Sequence, residues 1–103
     1  MCLDRGVLDR EPIRRRVVAH GRVQGVSFRD GARRTAGRLG LAGWVRNRLV
    51  GAVEAELEGD PEAVAAAVGW FGQGPPGARV DGLEVVELPP RAEHGFSVLP
   101  TAR

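Results

Sequence analysis

A glycine-containing loop followed closely by an arginine is the segment of this sequence best suited to chemistry. The loop spans residues 21–27, with glycines at Gly21 and Gly25, and Arg29 follows it after one intervening residue. Where such a loop leads into a helix, successive backbone N–H groups and the positive end of the helix dipole form an anion site. The planar guanidinium of Arg29 can also donate to two phosphate oxygens at once. The segment therefore predicts a site for a phosphate group.

The loop does not match the commonest phosphate-binding motifs. A Walker loop requires Gly-Lys followed by Ser or Thr, and the chain contains no lysine. A dinucleotide fingerprint requires Gly-x-Gly, which the loop lacks. A cysteine-dependent phosphatase is excluded because the loop has no cysteine. By spacing alone, a tight turn followed by a solvated helix arginine explains the segment about as well as an anion site does.

Hydrophobic patterns predict that the loop connects a strand to a helix. Residues 14–20 are β-prone and stop at Gly21. After the loop, apolar residues recur at helical spacing, at Phe28, Ala32, Ala36 and Leu39. Gly40 is placed to end this helix. His20 is accordingly interpreted as the last residue of the strand rather than as a base or a phosphate ligand.

The remaining elements complete a β-α-β-β-α-β order. They are a strand at 41–47, a hairpin connection at 48–51, a strand at 53–58, a helix that begins at Asp60 and Pro61, a strand at 80–88 and a short edge segment at 95–98. This order predicts an α+β fold of the ferredoxin-like type. We expect a four-stranded antiparallel sheet with both helices on one face.

Several charged and aromatic residues have both a structural and a functional interpretation, and the structural one is favoured for each. Glu54, Glu56 and Glu58 alternate with apolar residues and are predicted to form the solvated side of the sheet rather than a metal site. The run 14–16 of three arginines is predicted to solubilise the start of a strand, with steering of anions as the alternative. Trp44 and Trp70 could stack on nucleic-acid bases, but we expect both to pack within the protein.

Length and composition indicate one domain without a membrane span. The 103 residues divide into a flexible N-terminal extension at 1–13, a domain at 14–98 and a C-terminal tail at 99–103. The N-terminal stretch lacks the apolar core of a secretory signal, so a cytoplasmic location is predicted. The single cysteine, Cys2, is interpreted as an inert thiol. A net charge of +2 is weak support for nucleic-acid binding, which is not predicted.

Two motifs of this chain resemble those of the acylphosphatase family. The first comprises Gly21, Arg22, Val23, Gln24, Gly25, Val26 and Ser27, followed by Phe28 and Arg29. The second comprises Gly40, Leu41, Ala42, Gly43, Trp44, Val45, Arg46 and Asn47, with Gly51 after it. The resemblance covers about residues 14–98, and the separation of the motifs also fits the family. It implies a ferredoxin-like fold, hydrolysis of acyl phosphates and no cofactor or metal.

The resemblance also implies a role for each part of the site. The backbone N–H groups of residues 21–27 would hold the phosphate, Arg29 would bind it, and the Asn47 amide would orient the attacking water. Ser27 departs from the Gly or aromatic residue common in relatives, which could change phosphate affinity. Residues 48–50 are more apolar than is usual in the family.

The chemistry of an acyl phosphate is compatible with so small a set of residues. The leaving group is a carboxylate with a pKa of about 4 to 5, which departs without being protonated. Charge that develops on the phosphoryl oxygens can be stabilised by N–H donors and one guanidinium. No general base for the water is evident, and the phosphate of the substrate is a hypothetical proton acceptor.

Two other functions are considered beside hydrolysis. Acylphosphatase-like domains also open the long carbamoyl-transferring proteins of hydrogenase maturation, so a non-catalytic module that binds acyl or carbamoyl phosphate is the alternative. An RNA-binding sheet would need exposed aromatic residues on its middle strands, and only Trp44 is a candidate. The expected partner is thus a small-molecule acyl phosphate, and the expected state is a monomer.

Overall fold

The seven elements of the fold follow the predicted order, including the short segment at the end. The computed structural model describes residues 11–102. Its elements are β1 (Ile13–Arg22), α1 (Phe28–Arg38), β2 (Ala42–Asn47), β3 (Val53–Gly59), α2 (Pro61–Gln73), β4 (Arg79–Leu88) and β5 (Phe96–Val98). The predicted extension at 1–13 and Cys2 lie largely or wholly outside the described residues. No helix among those described is long and apolar enough to cross a membrane.

The sheet has five strands in the order β4-β1-β3-β2-β5. The four predicted antiparallel strands are present, but the prediction of a four-stranded antiparallel sheet is incomplete because a fifth, parallel strand joins it. Strands β1 to β4 pair in antiparallel fashion, whereas β5 pairs with β2 in parallel. Leaving β4 at one edge, the chain crosses the sheet and returns along the free edge of β2. There the Gly43 N–H donates to the Gly95 carbonyl, and the Leu99 N–H donates to the Val45 carbonyl. The predicted edge segment at 95–98 therefore exists.

Both helices cover the same face of the sheet. On that face Val17, Val45 and Leu57 are fully buried beneath Phe28 of α1 and Phe71 of α2. Their burial follows from the alternation of strand side chains and from the helical spacing of the apolar residues. Each large apolar side chain buried in this way contributes about 1.5–3 kcal/mol.

Aromatic contacts join the two helices above this core. The ring of Trp70 lies 5.1 Å from that of Phe28 and 5.4 Å from that of Phe71, in edge-to-face arrangements. The prediction that Trp70 packs within the protein is therefore confirmed. Because Phe28 is also the first residue of α1, the same contacts fix the position of that helix terminus.

The glutamates of β3 are buried, which contradicts their predicted exposure to solvent. Glu54, Glu56 and Glu58 are 8%, 4% and 4% exposed. Alternation correctly places them on the face opposite the helices, but that face is covered by side chains of the neighbouring strands and by the segment after β4. The backbone N–H groups of Arg91 and Ala92 both donate to the Glu58 carboxylate from this segment.

Arg14 is the centre of this charged layer and has no exposed surface, so its predicted role in solubilising the strand is wrong. Its guanidinium donates to Glu56 at 2.7 Å and to Glu58 at 2.7 Å. A third bond, of 3.0 Å, reaches Glu93. Arg16 adds a bond of 3.0 Å to Glu56. Buried charges are tolerated because each has a bonded partner of opposite sign.

Two other predicted assignments concern residues on the sheet. The guanidinium of Arg46 lies 4.7 Å from the centre of the half-buried Trp44 ring, and it also donates to Glu54 at 3.0 Å. Trp44 thus packs within the protein, as predicted, but its contact is with the charged layer, which was not predicted. His20 is not the last residue of β1, which extends to Arg22, and its Nε2 atom lies 2.7 Å from the Glu84 carboxylate.

Candidate active site

The loop between β1 and α1 has the backbone conformation expected of an anion site. Gly25 has φ 77° and Ser27 has φ 62°, so both lie in the left-handed region. Glycine adopts this region freely, whereas Ser27 is one of only two non-glycine residues with positive φ among those described. Turns of this kind direct successive N–H groups to one side of the chain, which makes a concave site for an anion.

The N–H groups of this loop are available for such an anion. Among residues 11–102, no N–H group of residues 23–27 donates to a backbone or side-chain acceptor. Ser27 is the N-cap of α1, but its side chain makes no capping hydrogen bond. The first N–H groups of α1 therefore point toward the loop with the positive end of the helix dipole behind them.

Arg29 is placed at this helix terminus with its charge unpaired. It is the second residue of α1 and is half-buried. Within the described part of the chain, its guanidinium has no ion-pair or hydrogen-bond partner, in contrast to Arg33 and Arg34 on the same helix, which both pair with Asp30. The guanidinium donors of Arg29 are consequently free to bind an anion over the loop.

Asn47 is held at the last position of β2 by bonds on both sides. It pairs with Val53 of β3, and its backbone carbonyl accepts a bond of 2.9 Å from the Ala102 N–H. Its half-buried side chain makes no hydrogen bond to any of residues 11–102. An amide held in this way by its backbone can donate to, or accept from, a water molecule in a fixed direction.

One pocket of about 510 Å³ brings these parts together. Its lining residues are Val23, Gly25, Ser27, Phe28, Arg29, Asp30, Asn47 and Val98. Arg29 and Asn47, predicted from two separate motifs, therefore face the same space. Three of the seven predicted loop residues, Val23, Gly25 and Ser27, also line the pocket.

The other four loop residues do not line this pocket. Gly21 and Arg22 still belong to β1 and pair with β4, across an irregularity in the ladder after His20. An added Cβ at Gly21 would lie 2.2 Å from the Arg79 carbonyl, which explains the glycine. Val26 packs against the core, and the Gln24 side chain turns toward the β2–β3 connection. These residues shape the loop through contacts behind it.

Three pocket residues, Phe28, Asp30 and Val98, were not predicted as site residues, although Phe28 stands in the first motif. Asp30 follows Arg29 directly, and a hydrogen bond from Arg33, together with the charge of Arg34, lowers the pKa of its carboxyl from its ordinary value. Val98 is distant in sequence and reaches the site because β5 pairs with β2, opposite Val45. The position next to Arg29 could have indicated Asp30, but no local pattern indicates Val98.

No group of three or more His, Cys, Asp or Glu side chains in residues 11–102 is arranged to hold a metal ion. The residues that line the pocket supply one guanidinium, one amide, one hydroxyl, one carboxylate and backbone N–H groups. The guanidinium and the N–H donors suit the recognition of a phosphate oxyanion, whereas the Asp30 carboxylate is paired with Arg33 and Arg34.

Comparisons with known proteins agree with this site. The chain is 53% identical over 83 residues to an acylphosphatase of Anaeromyxobacter dehalogenans, which covers 81% of this chain and 89% of the relative. The structure of an acylphosphatase from Coxiella burnetii superposes with a TM-score of 0.83 at 32% identity, covering 86% of this chain and 94% of that one. Full-length HypF, in a phosphate- and nucleotide-bound form, contains a similar fold at 26% identity and a TM-score of 0.81, covering 88% of this chain but 12% of HypF.

The family model extends the agreement to both motifs and to all the elements that position them. The acylphosphatase model matches residues 15–98, a range that begins in β1 and ends with β5. It includes the loop at 21–27, Arg29, Asn47 and Val98. The chain belongs to the acylphosphatase family.

Proposed function

We propose that this chain hydrolyses the carboxyl–phosphate bond of acyl phosphates, with the phosphate held by the loop at 21–27 and Arg29, and with the attacking water oriented by Asn47. The observation that carries the proposal is that Arg29 and Asn47, each without a side-chain partner among residues 11–102, line the same pocket at the start of α1. A guanidinium and N–H groups without protein partners at one site offer several donors to a single anion. The Asn47 amide lines the same pocket, which supports its proposed role in orienting the nucleophile.

The pocket contains groups that act on the transition state rather than on the leaving group. A carboxylate leaves without a proton, so catalysis can rest on positioning and on stabilisation of the phosphoryl charge. Donors fixed in advance around developing negative charge each contribute roughly 3 to 4 kcal/mol. The N–H groups of the loop and the Arg29 guanidinium are such donors, and no cofactor is part of the proposal.

The proton of the attacking water goes to the phosphate of the substrate in this proposal. Among residues 11–102, Asp30 is the only carboxylate that lines the pocket, and its hydrogen bond from Arg33 lowers its pKa. A carboxylate with a lowered pKa is a weaker base, and both of its oxygens already face arginines. A phosphate oxygen of the substrate lies closer to the water that attacks it.

Substitution of Arg29 and of Asn47 by alanine tests this function directly. Hydrolysis of an aryl acyl phosphate is measured near neutral pH in excess chelator for the wild type, Arg29→Ala and Asn47→Ala. We expect each variant to lose about 10²- to 10³-fold in kcat, the usual effect of removing one preorganised donor. Arg38→Ala, at the exposed end of α1, is the matched control and should retain full activity.

A module that binds acyl or carbamoyl phosphate without hydrolysing it is the second candidate. The observation in its favour is the similarity to one part of HypF, in which the matching fold is a small fraction of a much longer chain. The same assay separates the two functions. A folded wild type that binds inorganic phosphate and shows no turnover would favour the module over the enzyme.

The proposal includes a monomer that acts in the cytoplasm. β4 is an edge strand, and it carries Arg79, Asp81, Glu84 and Glu87 along its length. Charged side chains on an edge discourage pairing with the edge of another molecule. One cysteine in the whole sequence gives no support for an oxidising compartment.

A further inference from the structure

Gln24 lies in the phosphate loop, but its side chain is directed away from the pocket. Its Nε2 atom donates to the Arg48 carbonyl at 2.8 Å and to the Ala52 carbonyl at 3.0 Å. The two N–H bonds of one amide group are thereby both used, and the half-buried side chain has a single defined orientation. Both acceptors belong to the connection between β2 and β3.

The two carbonyls that Gln24 binds are also those that close this connection. The Ala52 carbonyl accepts from the Arg48 N–H at 2.8 Å, and the Arg48 carbonyl accepts from the Gly51 N–H at 3.1 Å. Each carbonyl oxygen has two lone pairs, and each thus receives two donors. The connection is folded by its own backbone bonds and fastened to the phosphate loop by the Gln24 amide.

Arg48, whose carbonyl accepts from Gln24, is adjacent in sequence to the proposed catalytic residue. Asn47 precedes Arg48 directly and pairs with Val53, which follows Ala52. The Gln24 side chain therefore spans the gap between the segment that holds the phosphate and the segment that carries Asn47. No other side-chain hydrogen bond connects these two segments within residues 11–102.

We propose that Gln24 is a positioning residue, which sets the distance and direction of Asn47 relative to the phosphate loop through its bonds to Arg48 and Ala52. The proposal rests on the proposed function for the part that concerns catalysis. Its physical basis is that displacement of a reacting group by about 1 Å can cost roughly 10² in rate. The strand before the loop and the strand of Asn47 are already joined through β3, since Val53 pairs with both Ala19 and Asn47. The two hydrogen bonds of Gln24 add a direct connection from the loop itself, beyond the end of β1, and are well placed to prevent such a displacement.

The substitution Gln24→Met removes both Gln24 hydrogen bonds, because methionine has a similar length and no N–H donor. It therefore tests the positioning role. We expect kcat to fall about 10- to 100-fold while KM and the affinity for inorganic phosphate change by less than about threefold, since the loop N–H groups and Arg29 remain. Gln73→Met, at the exposed end of α2, is the matched control and should behave as the wild type. An unchanged kcat in folded Gln24→Met would overturn the proposal.

A double-mutant cycle separates positioning of Asn47 from a general loss of structure. In an Asn47→Ala background the amide to be positioned is gone, so adding Gln24→Met should lower the residual kcat by less than about twofold. A general structural defect would lower kcat by the same factor in both backgrounds, and that result would also overturn the proposal.

Amide hydrogen exchange tests the two Gln24 hydrogen bonds without a measurement of catalytic activity. The Arg48 and Gly51 amides should exchange at least about fivefold faster in Gln24→Met than in the wild type. The carbonyls that accept from these amides lose their second hydrogen bond, the one from Gln24, so the connection opens more often. Equal exchange rates would contradict the proposal that Gln24 holds the β2–β3 connection to the loop. If the wild type fails to hydrolyse acyl phosphates, the proposed function fails, whereas the exchange comparison still decides whether Gln24 fastens the two segments.

Discussion

Single glycines in this fold differ in what an added methyl group would meet. Gly43 in β2 has φ 132°, and a Cβ there would lie 1.9 Å from the Glu56 carbonyl. Gly69, on the exposed side of α2, has no atom within 4 Å of such a Cβ. The first position combines an unfavourable backbone conformation with a clash against backbone, and the second leaves only the flexibility of glycine.

We expect Gly43→Ala to lower the free energy of unfolding by at least about 3 kcal/mol and Gly69→Ala to raise it by about 0.5–1 kcal/mol. Urea unfolding of the two variants and the wild type measures both changes. Equal effects of the two substitutions would show that the contact of Gly43 with Glu56 is not decisive.

The residues of the site differ in how far the sequence could predict them. Arg29 and Asn47 stand in motifs that are recognisable without any structure, and the structure brings them to one pocket. Gln24 lies in the same motif, but its side-chain bonds depend on a connection that follows 24 residues later. Val98 reaches the pocket only through strand pairing, which no local pattern encodes.

At the scale of elements, the segment after β5 supports the site from the outside of β2. Ala102 donates its N–H to the Asn47 carbonyl at 2.9 Å, and Arg48 forms an isolated parallel bridge with Ala102. The residues predicted to be a C-terminal tail, 99–103, thus include one that contacts the end of the strand bearing the amide.

We expect Ala102→Pro to lower kcat about tenfold, because proline removes the N–H that supports the Asn47 backbone. Ala102→Gly, which keeps the N–H, is the control and should lose less than about twofold. Steady-state hydrolysis of an aryl acyl phosphate measures both. A proline variant as active as the glycine variant would mean that pairing with β3 alone is sufficient to hold Asn47.

Element types could be predicted largely from local patterns, but their environments could not. The alternation in β3 correctly separates the core face from the glutamate face. The second face is buried because Arg14 lies opposite Glu58 and Arg16 opposite Glu56 across the β1–β3 pair. Alternating arginines in one strand and glutamates in another are visible in the sequence, but the strand pairing that matches them is not.

For the whole molecule, the buried charged layer makes the free energy of unfolding depend on pH in the acidic range. Burial raises the pKa of Glu58, but hydrogen bonds from the Arg91 N–H and the Arg14 guanidinium outweigh this effect, so the pKa is lower than the ordinary value of a glutamate. Burial and the bonds from Arg14 and Arg16 act in the same opposed way on Glu56, whose pKa is also lowered. The unfolded chain then binds protons more readily than the folded protein, so stability is lost as the pH falls below about 4.5.

We expect the free energy of unfolding to decrease steadily below about pH 4.5, and Glu58→Gln to show a smaller decrease from a lower value at pH 7. The exposed Glu87→Gln is the control and should follow the wild-type curve. Urea unfolding between pH 7 and pH 3 measures all three. Parallel curves for Glu58→Gln and the wild type would show that another group governs the acid transition.

The contact between Ala102 and Asn47 also determines how this protein can be attached to anything else. β1 begins at Ile13, which pairs with Gly59, whereas Ala102 lies beside the other end of the sheet. The six residue steps from Val53 to Gly59 separate these two ends by about 20 Å. A tether, reporter or fusion partner linked after Ala102 would be anchored beside the pocket, whereas one linked before Ile13 leaves the pocket facing open solvent.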